Sequence, residues 1–268
     1  MPEETNNPET SFASRSRLGE LRLAIGFLTR LPVAAATGDL ASAGWAFPLV
    51  GLLVGAIASL VYWFAIQLGL TALIAAALAV AGGMLATGAL HEDGLADFAD
   101  GLGVRGGASE KLAAMRASGI GSFGVLALIF GVLLRVLALA ALIGPAGVGP
   151  ALIGAHAGAR ALLPWAMKHE PRARVDGLAV SAGRPGQGTA LAALLIGLAI
   201  LILTMGASRG VIAALAALLG LALLPLARRQ LGGITGDVFG RRRAAGRDRH
   251  PARARGDPQP GGQMTTGG

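Results

Sequence analysis

The chain has 268 residues, 53% of them hydrophobic and only 14% charged, with mean hydropathy +0.62. A soluble domain carries roughly 25% charged residues, so an ordinary soluble fold is excluded, and the absence of Cys excludes disulfides, thiol nucleophiles and Cys-based metal sites. The net charge is +8, yet the last 28 residues alone hold seven Arg and two Asp (+5), while residues 1–240 hold 16 basic and 13 acidic residues (+3).

The first residues, MPEETNNPET, carry three acids and no apolar run, which argues against a secretory signal. Residues 1–17 are expected to be disordered. Leu18, Leu21, Ile25, Leu28 and Leu31 then share one helical face, with Arg22 and Arg30 off it. That pattern suits an interfacial helix, and a short packed helix equally well. Six apolar runs follow: Ala43–Ile66, Ala72–Leu90, Ser122–Ile143, Pro150–Met167, Thr189–Gly206 and Gly210–Leu226. Each is near the length needed to cross about 30 Å of hydrocarbon. The expected fold is an all-α, polytopic integral membrane helix bundle of about six transmembrane helices with a cytoplasmic acidic helix or loop. Gly51 and Gly55 in the first run have the spacing of a close helix contact in lipid, but a composition with 42 Gly accounts for them more simply.

The second run ends in the most informative stretch, with Glu92, Asp93, Asp97 and Asp100 inside nine residues. If that helix continues, Asp93, Asp97 and Asp100 lie at about 0°, 40° and −20° around it, so three carboxylates share a face. Such repulsion gains nothing by itself, and acids are disfavoured at the end of a long helix. A divalent cation reverses the sign, and an oxygen-only ligand set suits Mg²⁺ bridging to substrate phosphates. Glu92, one position round, is a further ligand or a general base. His91 reads as a polar helix-end residue and receives no role.

Downstream, Arg116, Ser118, Gly119, Gly121 and Ser122 form a Gly/Ser-rich turn opening the third run. Backbone N–H groups at a helix start, with Arg116 beside them, suit an anion. Next to a metal site this turn reads as the second half of a diphosphate cradle. Arg135 and Arg160 lie inside the third and fourth runs, and His156 is one turn before Arg160. Charges in a span usually face an interior or a cavity, so His156 and Arg160 are a candidate cavity-lining, substrate-binding pair. Residues 168–184 form a basic loop. With six spans, the basic connections all fall on one side, which the positive-inside rule makes cytoplasmic, together with both termini. Aromatic residues at 4% and dispersed Lys and Arg argue against nucleic-acid binding. The expected surroundings are a lipid bilayer.

FLTRLPV (27–33), WAFPLVG (45–51), TGALHEDGLADFADGLG (87–103), MRASGIGSFGVLAL (115–128) and LGGITGDVFG (231–240) together carry a resemblance to the cobalamin synthase family, over roughly residues 18–240. The family's common form has Leu or a similar residue where Glu92 stands. The resemblance implies a membrane-embedded transferase. It joins adenosylcobinamide-GDP to α-ribazole or its 5′-phosphate, releases GMP, requires Mg²⁺ and acts in late cobalamin biosynthesis at the inner membrane. Asp237 matches a family position and is the expected fourth metal ligand beside Asp93, Asp97 and Asp100. Its partners would be the corrinoid nucleotide and α-ribazole, with a second copy of the chain or other corrinoid-pathway enzymes as protein partners. Two other readings remain. Asp97-Phe-Ala-Asp100-Gly is similar to the D-x-x-D-G opening of CDP-alcohol phosphotransferases, without the Ala-Arg and the later paired Asp. A transporter could use Arg135 and Arg160 as an ion path, but the acids sit at a membrane edge and no inverted repeat is visible.

After Gly240 the family continues with an acid-containing stretch and another apolar run. This chain instead becomes rich in Arg, Pro and Gly, so residues 241–268 are expected to be a disordered basic tail. Attraction to anionic lipid is one account of it. The abruptness of the break favours an altered reading frame.

Overall fold

The computed structural model describes residues 16–34, 36, 38–142, 144–171, 182–221 and 223–231. All regular structure among them is helical. Helix α1 spans Arg17–Leu28, α2 Leu40–Ala43, α3 Phe47–Gln67, α4 Ala72–Thr87, α5 Leu90–Gly103 and α6 Ala108–Ala114. Then come α7 Ser122–Ala140, α8 Gly144–Ala161, α9 Leu163–His169, α10 Gln187–Met205, α11 Ala207–Gly220 and α12 Leu223–Leu231.

Helix α1 begins on a side-chain cap, with Ser16 Oγ accepting from Gly19 N at 3.0 Å. It is a packed helix rather than an interfacial one. Ala24 and Leu28 are fully buried, Leu21 and Ile25 of the expected stripe pack into the core together with Leu23 and Phe27 beside it, and Leu18 of the stripe is exposed. The first core gathers these residues with Phe47, Val50 and Val54 of α3, Leu90 of α5 and Met167 of α9. A second core joins Ala58 and Tyr62 of α3, Ala75, Ala76 and Ala79 of α4, Val136 of α7, and Val148 and Leu152 of α8.

Helix α8 lies at the centre, packed against α3 on one side and α10 on the other. The contact with α3 depends on Gly51 and Gly55. A Cβ at Gly51 would lie 2.3 Å from His156 O, and one at Gly55 would lie 2.5 Å from Ile153 Cα. These glycines therefore form the helix contact itself, and the simpler compositional account is wrong for both. Ser59 Oγ, donating toward Gly149 O at 3.1 Å, extends the seam. On the other side Gly197 of α10 faces Ala161, where a Cβ would come within 2.4 Å of the Ala161 methyl.

Leu40–Gln67, Ser122–Ala140 and Gln187–Met205 are long and apolar enough to cross a bilayer, and α4 with α5 would make a fourth, broken span. The expectation of about six spans also counted α8 and α11. Helix α8 holds Pro150, His156 and Arg160 and is enclosed by protein, so it has little need of an apolar surface, and α11 has only 14 residues. Helix α7 shows the reverse arrangement: Ile129, Phe130, Leu133 and Leu134 are exposed on it. In water that surface would be unstable, and in lipid it is solvated. The protein is a membrane helix bundle.

Candidate active site

The acidic stretch does not continue the second apolar helix. The chain breaks between α4 and α5 and turns through 91°. Gly88 is left-handed (φ 66°), and so is Ala89 (φ 54°), a conformation costing a non-Gly residue roughly 1–2 kcal/mol. The Arg30 side chain lies across Gly88, where a Cβ would come within 2.1 Å of Arg30 Nε, and Arg30 N donates to Ala86 O at 2.8 Å. The acids therefore open a new helix instead of closing an old one. Glu92 and Asp93 stand in the first turn of α5, where the helix dipole favours them. This corrects the sequence argument that the dipole opposes them. The shared face survives, because α5 is helical from 90 to 103.

The four acids have separate fates. Asp93 is exposed, Asp97 and Asp100 are half-buried, and Glu92 is buried. Asp100 Oδ2 accepts from Gly121 N and Oδ1 from Gly124 N, both at 2.7 Å. Gly121 caps α7 without a side chain of its own, so Asp100 supplies the missing cap from another helix. A Cβ at either glycine would meet that carboxylate within 2.5 Å. The N–H of Gly121 in the expected diphosphate cradle, and that of Gly124 just beyond it, are thus committed to the protein's own carboxylate. Arg116, Ser118, Gly119 and Ser122 remain on the exposed surface of the same turn. Asp100→Ala is expected to free both N–H groups and cost about 2 kcal/mol of stability, in line with the loss of charge-assisted bonds. Thermal unfolding in detergent checks this, and Gly124→Ala should reproduce much of it by pushing the carboxylate away.

At the other end of α5, Glu92 Oε1 accepts from Arg135 Nη1 of α7 at 2.8 Å, and Arg135 Nε donates to Gly131 O at 2.9 Å. Arg135 has its counter-charge, which answers how that span tolerates an arginine. Two ties, Asp100 below and Glu92 above, hold α5 along α7, with Leu95 against Gly131 between them. The sequence analysis did not pair Glu92 with Arg135. The need of a mid-span arginine for an acid was the signal available.

His156 and Arg160 do come together, Nδ1 to Nη1 at 3.0 Å, but away from the Asp93–Asp97 face. They line a cavity of about 920 Å³ with Glu92, Arg135 and His91, the residue left without a role. Asp237 and much of the basic loop, including Arg172 and Arg174, lie outside the described residues. Among the described residues no three His, Asp or Glu side chains gather as a metal site. Asp93 and Asp97 remain one turn apart on a common face, and one or two carboxylates are what Mg²⁺ usually takes when substrate phosphates complete its shell. The donor chemistry fits the ion on that basis.

The family model described as cobalamin-5-phosphate synthase matches residues 20–243. An adenosylcobinamide-GDP ribazoletransferase of Bradyrhizobium diazoefficiens is 48% identical over 231 residues, covering 84% of this chain and 89% of that protein. Proteins of the same name from Mesorhizobium japonicum and Allorhizobium ampelinum are 43% and 41% identical, the alignments covering 87% and 82% of this chain and 91% and 90% of theirs. No solved structure matches.

Proposed function

The chain belongs to the cobalamin-5-phosphate synthase family, and from that premise we propose that it joins adenosylcobinamide-GDP to α-ribazole or its 5′-phosphate with release of GMP. The observation that carries the reading is that exposed Asp93 and half-buried Asp97 stand one turn apart on α5, a helix tied at both ends to α7. Phosphoryl transfer needs mainly positioning and neutralisation of charge, and a clamped acidic helix beside an exposed basic turn offers both.

In this reading Asp93 and Asp97, with Asp237 as a further ligand, would hold a Mg²⁺ ion. The bound ion would neutralise the charge that develops on the phosphoryl oxygens. Asp100 positions the turn at 118–122 through Gly121 and Gly124. Arg116 lies beside the phosphate that leaves. The ribose hydroxyl oxygen of the acceptor attacks the phosphorus nearer the cobinamide. Its bond to the GMP oxygen breaks, GMP departs with the electron pair, and the hydroxyl proton passes to a carboxylate of this face. The basic residues Arg105, Lys111 and Arg116 between α5 and α7 support an orientation with that connection on the cytoplasmic side of the membrane.

The test is a labelled-substrate assay on membranes containing the full chain. GMP release that requires both α-ribazole and Mg²⁺ is the expected result. CMP release from a CDP-alcohol, or uptake without turnover, would replace this reading with a phosphotransferase or a transporter.

A further inference from the structure

The cavity beside α5 is not explained by the diphosphate chemistry. It lies between α4, α5, α7 and α8, and about 920 Å³ is near the upper end for small-molecule sites. Val80, Leu95, Leu139 and Leu152 make most of its wall apolar. At its polar end, Arg160 Nε, Glu92 Oε2 and His91 Nε2 are buried and, among the described residues, make no hydrogen bond. Arg160 is 2% exposed and Glu92 7%. Polar atoms buried to this degree are nearly always satisfied, so three at one end of a cavity call for a ligand with matching groups.

The chemistry of the walls narrows the choice. A lipid chain would suit the apolar wall and leave all three polar atoms bare. A corrin ring carries amides around its whole rim, and these walls cannot hydrogen-bond them. A flat apolar heterocycle with one ring acceptor, joined to a hydroxylated sugar, suits both the wall and the polar end.

We propose that this cavity is the acceptor-nucleoside site. The benzimidazole of α-ribazole sits among the apolar walls, its free ring nitrogen accepts from Arg160 Nε–H, and ribose hydroxyls hydrogen-bond Glu92 Oε2 and His91 Nε2. The proposal rests on the reading of the chain as a ribazoletransferase. His156 Nδ1 and the His156 carbonyl hold the Arg160 guanidinium, and Arg135 holds Glu92. On α5, His91 and Leu95 lie about 160° from Asp93, and Glu92 lies about 100° from it. The base is therefore on one side of α5 and the diphosphate on the other. The ribose passes the first turn of the helix, where Glu92 and Asp93 are neighbours.

Ala155 and Ala159 stand one turn apart on α8, exposed and facing the cavity. A larger side chain there grows into open space, so the fold is kept. In the full chain in nanodiscs, Ala159→Phe is expected to raise the KM for α-ribazole at least about tenfold and to leave the KM for adenosylcobinamide-GDP within about twofold. A titration with α-ribazole alone should saturate for the wild type and fail for Ala159→Phe, and Ala155→Phe should behave alike. An unchanged acceptor KM, or a rise in the donor KM, overturns the assignment. A wild-type chain without ribazole-dependent GMP release defeats the transferase reading instead. The titration then decides the cavity by itself: saturation abolished by Ala159→Phe upholds it, and no saturation overturns it.

Discussion

Asp97→Asn is expected to lower ribazole-dependent GMP release by at least about 100-fold, the range seen when a preorganised charge is removed from a transition state. Asp97 is half-buried on α5, one turn from exposed Asp93. Asn keeps its size and nearly its helix propensity, so the fold should persist while the negative charge is lost. The Mg²⁺ concentration for half-maximal rate should rise together with the fall in kcat. The effect should be larger than that of Asp100→Asn, because Asp100 acts through the turn at 118–122 and an Asn oxygen can still accept one of its two N–H groups. Full activity in Asp97→Asn, with an unchanged Mg²⁺ requirement, would remove this residue from the site.

Gly51→Leu is expected to be the most destabilising substitution outside the site, by more than about 3 kcal/mol, the upper end of overpacking in a dense interior. The atoms in its way are backbone: His156 O, Ala157 Cα and Ala157 N all lie within 2.7 Å of an added Cβ. A side chain could rotate away, but a helix backbone must move bodily, and α8 is held on its far side by α10 through Gly197 and Ala161. Gly55→Leu should behave similarly, with Ile153 Cα at 2.5 Å. Gly188→Ala on α10 is the control, since nothing lies within 4 Å of a Cβ there, and it should be neutral or slightly stabilising. Melting of the purified protein in detergent, followed by tryptophan fluorescence, measures the series. Gly51→Leu also displaces His156 and Arg160, so loss of ribazole binding should accompany loss of stability.

Local chemistry made much of this protein legible in the sequence. Helices overlap all six apolar runs, the fourth and sixth each being divided between two helices, and three of the runs have the length and character of spans. The common face of Asp93, Asp97 and Asp100 follows from the helical repeat and needs no partner. The family match over residues 20–243 agrees with motifs readable along most of the chain. The pairing of His156 with Arg160 was legible for the same reason, as residues four apart on one helix meet. Helix α1 was harder. Its apolar residues lie all round the helix, and a stripe read from five leucine and isoleucine positions could not tell lipid from protein as the covering surface.

What tertiary structure alone decided is who stands opposite whom. The break at Gly88–Ala89 begins as a glycine C-cap, with Ala89 N donating to Met84 O at 2.7 Å, and Arg30, nearly sixty residues earlier, lies across it. Asp100 reads as a metal ligand until Gly121 and Gly124 are seen to donate to it. Glu92 reads as a fourth acid until Arg135 is found beside it, and His91 reads as a polar helix-end residue until it is found lining the cavity. The sequence by itself determined the class of protein, its family and the face that carries charge, because apolar length and helical period are local properties. The roles of Glu92 as clamp and Asp100 as cap were decided by the fold, because each depends on a partner from another helix that no period encodes.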